Sequence, residues 1–250
     1  MAKSKLHFQR FEIKYYLPKS KADKLIPALL NHLNWDQNVI ETGRDYYNVN
    51  SLYFDSPDYG CFWDKEAGVK DRKKLRMRYY QPVTSDDVQV FVEIKRKKNA
   101  LVVKDRIKLE AKDCTSRTFD LTLKNLYHNN PEDDFLKELI WFKNRNALRP
   151  VIFITYKRKA FVGKKDKQFR VTFDYDIMTS PAKDLNNIST NFRPVYPGGV
   201  VLELKFNNIL PAWFHRLIQK YQLNQLAYSK YCNSLRKIIP QLDDNNYLVN

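Results

Sequence analysis

Apolar and polar residues alternate with a two-residue period over eight stretches of the chain, roughly 8–17, 46–55, 71–81, 88–97, 101–110, 149–163, 167–177 and 199–207. Successive side chains on a strand point to opposite faces, so each stretch predicts a strand with two chemically distinct sides. TSDD at 84–87 and KKNA at 97–100 are short connections that predict an antiparallel meander, and GKKDK at 163–167 predicts a hairpin turn. Between strands the pattern lengthens to a helical one. Residues 19–33 put Leu25, Leu29, Leu30 and Leu33 on one stripe, and 131–147 open with Pro131 and acidic residues, as helix starts do. The segments 211–221 and 228–239 are the last helices, and QLDDNNYLVN at the end reads as a loose tail over 241–250. With no internal boundary, the pattern predicts one α+β domain over residues 1–240. Its core would be a closed, eight-stranded, mostly antiparallel barrel flanked by helices.

The strand faces are strongly divided. Arg76 and Arg78 oppose Leu75, Met77 and Tyr79; Lys104, Arg106 and Lys108 oppose Val103, Ile107 and Leu109. Arg170, Thr172, Asp174 and Asp176 oppose Phe169, Val171, Phe173 and Tyr175. A Glu-x-Lys triplet occurs on three strands, as Glu12 with Lys14, Glu93 with Lys95, and Glu203 with Lys205. If helices cover the apolar faces from outside, the charged faces line a wet tunnel. The alternative is a flattened sandwich with an apolar interior and charges in solvent. The arginines and short-reach ion pairs, with few Ser, Thr, Gln or Asn, favour the tunnel.

Composition adds the sign of the partner. The 250 residues carry 44 basic and 28 acidic side chains, a net +16, which calls for a polyanion: nucleic acid, an anionic membrane or a phosphate-rich molecule. Nucleic-acid binding requires an exposed basic stripe with interleaved aromatics, whereas these cations sit beside acids on strand faces, so no nucleic-acid partner is expected. Three scattered cysteines predict a reducing compartment without structural disulfides. No secretory leader is visible and the longest apolar run, VIFI at 151–154, is too short to span a bilayer, so a soluble, cytoplasmic protein without a membrane span is expected. The histidines lie apart, and neither a G-x-S-x-G elbow, a Walker glycine loop nor a zinc motif occurs.

The charged faces hold eight cations (Lys14, Arg76, Arg78, Lys95, Lys104, Arg106, Arg170 and Lys205) against Glu12, Glu93, Glu203 and Asp174. A confined excess of positive charge must hold water or a polyanion. Phosphate suits it, because guanidinium forks grip phosphate oxygens in pairs while lysine acts as a point charge. Carboxylates among those cations are candidates to hold Mg²⁺ or Mn²⁺, the expected cofactor, bridging phosphate oxygens.

The ordered series RFEIKYYL, SLYFDS, KLRMRYY, FVEIKRK, VVKDRIKL, YKRKAF, FRVTFDYD, VLELKF and LAYSKY resembles the VTC domain, from about residue 8 to 239. This is the catalytic domain of the vacuolar transporter chaperone polyphosphate polymerase, in the triphosphate tunnel metalloenzyme superfamily that also contains CYTH phosphatases. The resemblance implies that ATP donates its γ-phosphate to polyphosphate inside a basic tunnel, so that the partners are ATP and polyphosphate. It implies catalytic roles for Lys14, Arg76, Arg78, Lys95, Arg158 and Lys230, phosphate binding by Lys104, Arg106, Arg170, Lys205 and Ser229, and metal binding by Glu203. Arg158 and Lys230 emerge only from the resemblance. Where superfamily phosphatases carry E-x-E-x-K on the first strand, Arg10 replaces the first glutamate, which favours transfer over hydrolysis. Neither a helical SPX region nor a membrane segment is visible, so inositol-phosphate sensing and membrane translocation are not expected. Tripolyphosphate or nucleoside triphosphate hydrolysis on the same scaffold, and non-catalytic polyphosphate binding, remain alternatives.

Overall fold

The computed structural model describes residues 11–99, 101–207, 209–226 and 228–244. Its elements run in order β1 (Phe11–Pro18), α1 (Lys19–Leu30), β2 (Leu33–Trp35), α2 (Gln37–Ile40), β3 (Tyr47–Asp55), α3 (Gly60–Glu66), β4 (Asp71–Tyr79), β5 (Gln89–Lys98) and β6 (Leu101–Glu110). A 3₁₀ turn, Ala111–Cys114, leads into α4 (Phe119–Asn129), α5 (Asp134–Arg145), β7 (Arg149–Gly163), β8 (Arg170–Pro181), β9 (Arg193–Pro194) and β10 (Gly199–Phe206). Helices α6 (Ala212–Lys220), α7 (Lys230–Ile238) and α8 (Gln241–Asp244) follow. The eight long strands match the eight alternating stretches, while the short β2 and β9, with too few residues to alternate, carry no period to read. Leu33, expected on the stripe of the first helix, instead opens β2 and pairs with Gly163. At Gly163 a Cβ would stand 2.2 Å from the Asp166 carbonyl oxygen, so the turn into β8 has no room for a side chain.

The sheet is antiparallel throughout, in the order β1-β10-β8-β7-β3-β4-β5-β6. Two expectations are corrected here. The barrel is not closed by a ladder: among the described residues, hydrogen bonding runs from β1 to β6 and stops, although these edge strands touch. The free edge of β1 is instead taken by the segment before α7, where the Leu226 N–H donates to the Lys14 carbonyl (2.9 Å). Nor do all helices pack outside. The outward face of β3 to β6 (Leu52, Leu75, Met77, Val92, Ile94) packs on α4 and α5, and that of β1, β10 and β8 (Leu17, Val171, Phe173, Leu202, Leu204) packs on α1 and α6. But Tyr231, Cys232 and Leu235 of α7 pack on Val49, Tyr53, Ile154, Tyr156 and Val201, which are inward-facing residues. Helix α7 therefore stops one end of the barrel, held there by its apolar stripe.

The stopper is fastened at Asp55, a fully buried carboxylate ending β3. It accepts from the backbone N–H groups of Cys61 (2.8 Å) and Phe62 (3.1 Å) at the start of α3, and from the Tyr231 phenol of α7. The stretch expected as a loose tail begins with α8, whose Leu242 is buried, and 245–250 lie outside the described residues. All three cysteines are free and buried. Among the described residues no helix is long and apolar enough to cross a membrane. Replacing Asp55 strands the Ser56 and Cys61 N–H groups and the Tyr231 phenol in the interior, while the Phe62 N–H keeps the Tyr59 carbonyl as a second acceptor. Asp55→Ala should lower stability by about 2–4 kcal/mol, read from the urea midpoint at unchanged slope.

The charged lumen as candidate functional site

Because β1 and β10 run antiparallel, two Glu-x-Lys triplets in register place each carboxylate opposite the other strand's lysine: Glu12 faces Lys205, and Lys14 faces Glu203. Opposite charges across neighbouring strands stabilise the pairing. The apolar residue inside each triplet, Ile13 or Leu204, points outward into the core under α1. The Lys14 ammonium sits 3.3 Å from Glu12 and 3.5 Å from Glu203. In the third triplet, Glu93 lies opposite Arg76 on one side and Arg106 on the other, but Lys95 lies opposite Lys74 and Lys104. Flanked by like charges, Lys95 finds its carboxylate on β1, at 2.8 Å from Glu12. That ion pair links β5 to β1, near the place where the ladder fails to close.

These strands surround a cavity of about 1090 Å³, lined by fourteen lysines and arginines against four carboxylates. All twelve residues expected at the site face it: Lys14, Arg76, Arg78, Lys95, Lys104, Arg106, Arg158, Arg170, Glu203, Lys205, Ser229 and Lys230. The charged faces therefore turn inward, as a tunnel requires and a sandwich forbids.

Most cations are held by buried acids. Glu93, fully buried, accepts from Arg76 Nε (2.7 Å) and Lys104 Nζ (2.9 Å), with Arg106 4.0 Å away. Asp174, equally buried, binds Arg158 through two nitrogens (2.6 and 2.8 Å) and Lys230 at 2.6 Å. Lys230 reaches Asp174 because α7 enters the barrel end with this residue foremost, capped by the Ser229 hydroxyl, which accepts from the Cys232 N–H (3.3 Å). Arg78 differs. Its Nε donates to the Ser51 hydroxyl (3.2 Å) and its Nη2 to the Tyr156 phenol (3.3 Å), so among the described residues the hydrogen-bond partners of this buried guanidinium are neutral. Arg170 is half-exposed at the rim, 3.7 Å from Asp36.

Glu203 is gripped loosely: Lys14, Lys205 and Arg158 surround it at 3.5, 3.7 and 3.8 Å. On β8, directly opposite Glu203, the buried Thr172 hydroxyl has no hydrogen-bond partner among the described residues. Glu12 stands diagonally across from Glu203 on β1, close enough for the two charges to repel. Two carboxylates and an unpartnered hydroxyl are oxygen donors of the kind Mg²⁺ or Mn²⁺ accepts when phosphate supplies the remaining ligands. No cluster of three or more acidic, histidine or cysteine side chains that could hold a metal by itself occurs among the described residues. The donor set therefore fits an ion shared with phosphate.

Several features escape the alternating pattern. Arg158 is hidden because the residues sharing its inward face on β7, Ile152, Ile154 and Tyr156, are apolar or aromatic, so the strand shows no charged face. Asp176, expected on the charged face with Asp174, adopts a positive φ of 50° and turns out to pair with Lys157 at 3.0 Å. Lys108, expected with Lys104 and Arg106, is exposed and does not line the cavity. The phenols of Tyr53 and Tyr156 also line the lumen, and only the parity they share with Ser51 and Arg158 on their strands could have flagged them. Arg72, Lys74 and Lys97 line it too, and their parity with Arg76 and Lys95 was legible. Arg10 lies outside the described residues. His32 stacks on Trp213 at 4.2 Å, away from the lumen.

Burial opposes every charge here, and the outcome depends on neighbours. Burial resists ionisation of Glu12, as does Glu203, yet Lys95, Lys14 and Lys205 bring its pKa down to about 2. Despite burial, Arg76, Arg78 and Lys104 hold Glu93 far below the carboxylate range. Lys205, Lys14 and Lys230 do the same for Glu203, and Arg158 and Lys230 for Asp174. Burial raises the Tyr53 phenol, but Arg76 and Arg78 bring it to about 8. Carboxylates depressed in the folded state add stability that is complete above the ordinary range near 4.5 and lost as pH falls towards 2. The urea midpoint should accordingly be flat from pH 7 to about 5 and drop steeply from pH 4.5 to 2.5.

The VTC domain family model matches residues 9–239. Among solved structures, a Bacillus halodurans protein described as a candidate adenylate cyclase aligns with a TM-score of 0.51 at 12% identity, covering 89% of this chain and 95% of its own. At that identity the likeness speaks for the fold alone. A Pyrococcus horikoshii protein (TM-score 0.44, 12% identity, 91% and 99% covered) and the Mimivirus capping enzyme triphosphatase (0.33, 10%, 86% and 88%) align more loosely and carry no argument. No curated protein matches the chain. With a match over nearly the whole chain and the inward-charged barrel to go with it, the protein belongs to the VTC domain family.

Proposed function

We propose that the protein is a polyphosphate polymerase that transfers the γ-phosphate of ATP to a growing polyphosphate chain within the lumen. The observation that carries this reading is Arg78, a buried guanidinium whose hydrogen bonds among the described residues go to hydroxyls and not to a carboxylate, in a cavity already rich in cations. A desolvated charge costs several kcal/mol unless an anion meets it, and a phosphate oxygen is the anion that a guanidinium fork fits.

In the reaction, an oxygen of the polyphosphate end attacks the γ-phosphorus, the bond to the β–γ bridging oxygen breaks, and ADP leaves. A terminal phosphate oxygen is already ionised at neutral pH, so no side chain need act as base and no covalent enzyme intermediate is required. Catalysis is then positioning and charge stabilisation. Arg76 and Arg78 hold the phosphoryl group from the β4 side, Arg158 and Lys230 from the β7 and α7 side, and Lys14, Lys95 and Lys205 from the β1, β5 and β10 side. Lys104, Arg106, Arg170 and Ser229 steady the rest of the chain of phosphates. Glu203, with Glu12 and Thr172, would hold the Mg²⁺ or Mn²⁺ that supplies Lewis-acid neutralisation of phosphate charge.

Purified protein given ATP and Mn²⁺ should make polymer visible on a stained gel. Glu203→Ala should reduce synthesis by at least about 100-fold while tripolyphosphate still binds. No polymer across several metals and primers overturns the reading, and free phosphate without polymer favours a nucleoside triphosphatase or tripolyphosphatase on the same scaffold.

The lysines set a pH limit. Burial, helped by Arg76 and Arg78, lowers Lys104 to about 8; burial, helped by Arg158 and Lys95, lowers Lys205 to about 8. Below that pH both ammonium groups are ready for phosphate; above it they are neutral in the empty lumen and phosphate must draw in protons. Tripolyphosphate affinity should fall at least about tenfold between pH 7 and 9.5, with proton uptake in calorimetry performed in two buffers.

A further inference from the structure

Three aromatic rings at one end of the lumen have no role in the phosphate grip. Tyr47 begins β3, Tyr80 follows β4 and Phe91 lies near the start of β5; antiparallel pairing gathers all three at one end. The Tyr231 ring of α7 instead stacks on Tyr53, towards the other end of β3, with Lys74 near the start of β4 over it. The Tyr47 and Tyr80 rings meet edge-on at 5.8 Å, and Tyr80 and Phe91 meet at 6.0 Å. Arg106 lies over the Phe91 ring, its guanidinium carbon 4.4 Å from the centroid. Among the described residues, Tyr80 and Phe91 join none of the three apolar cores, and Tyr80 is 38% exposed. Tyr47 is half-buried and packs at the margin of the core that holds α7, but Tyr80 and the half-buried Phe91, standing at the cavity wall, are unexplained by core packing.

The ladder ties this ledge to the phosphate grip. Phe91 lies directly opposite Arg78, and Tyr47 directly opposite Arg158. Two amides, Gln81 beside Tyr80 and Gln89 two residues before Phe91, line the same cavity. A phosphate chain has nothing to gain from aromatic faces, which are electron-rich. A nucleobase does: it stacks on rings and on guanidinium planes, and each amide offers its edge both a donor and an acceptor.

Building on the polymerase reading, we infer that this ledge seats the base of a nucleoside triphosphate whose phosphate tail runs inward past Arg78. Because every base has a π face and an amide can present either group, the ledge holds the nucleotide donor without choosing strictly among bases. It also separates the two phosphate substrates: the nucleotide uses the ledge, whereas polyphosphate, having no base, does not.

The test compares ATP with inorganic tripolyphosphate, which shares the tail but lacks the base, by calorimetry on the whole protein. Tyr80→Ala, and Phe91→Leu, which keeps apolar volume but removes the π face, should each weaken ATP about 5- to 100-fold and leave tripolyphosphate within about twofold. Tyr80→Phe should retain ATP affinity. Unchanged ATP affinity in both variants, or equal loss of the two ligands, overturns the ledge while leaving the polymerase reading intact. Failure of the unaltered protein to bind tripolyphosphate overturns the polymerase reading, and the ledge with it.

Discussion

Charged strand faces turned toward one another inside a barrel are the constraint on which the rest of the structure depends. Each ammonium or guanidinium loses its water, and the protein compensates by burying carboxylates between strands. Glu93 joins β4, β5 and β6 through Arg76, Lys104 and Arg106; Asp174 joins β7, β8 and α7 through Arg158 and Lys230. Breaking such a pair from one side leaves a buried charge uncompensated, at about 3–5 kcal/mol. The acids therefore hold the scaffold together and also keep the cations aimed inward before any ligand arrives.

The carboxylates divide into two kinds by how tightly they are held. Glu93 and Asp174 are saturated at hydrogen-bond distance and fully buried, which makes them anchors. Glu203 is surrounded at 3.5–3.8 Å and faces an unpartnered hydroxyl, which leaves its lone pairs available. Glu12 lies between the two: its bond to Lys95 links β1 to β5, and its proximity to Glu203 makes it a second oxygen donor. One chemical group thus performs different work according to the number of cations within reach.

Much of this was legible in the chain. The Glu-x-Lys triplets of β1 and β10, the Arg-x-Arg of β4 and the Lys-x-Arg of β6 announce their shared faces because alternation in a strand is strict. Their inward direction was not legible from any one strand, since an apolar face does not say whether a helix or another sheet will cover it. Irregular backbone or an apolar face hid the rest. The bulge in β8 at Asp176 swings that carboxylate out, Arg158 shares its inward face with apolar Ile152 and Ile154, and α2, too short to show a period, brings Asp36 to the rim. Lys230 belongs to a helix whose amphipathic stripe reads as an ordinary outer one.

The sequence by itself determined which residues share a face, where the long strands run, and that the charged faces carry a surplus of positive charge, because these follow from side-chain alternation and composition. Tertiary structure alone decided which acid meets which cation, that Lys95 finds its partner on β1, that α7 stops the barrel from within, and that three aromatic rings gather at one end of the lumen. Those outcomes depend on register, bulges and the packing of distant segments, and such long-range geometry leaves no local period in the chain.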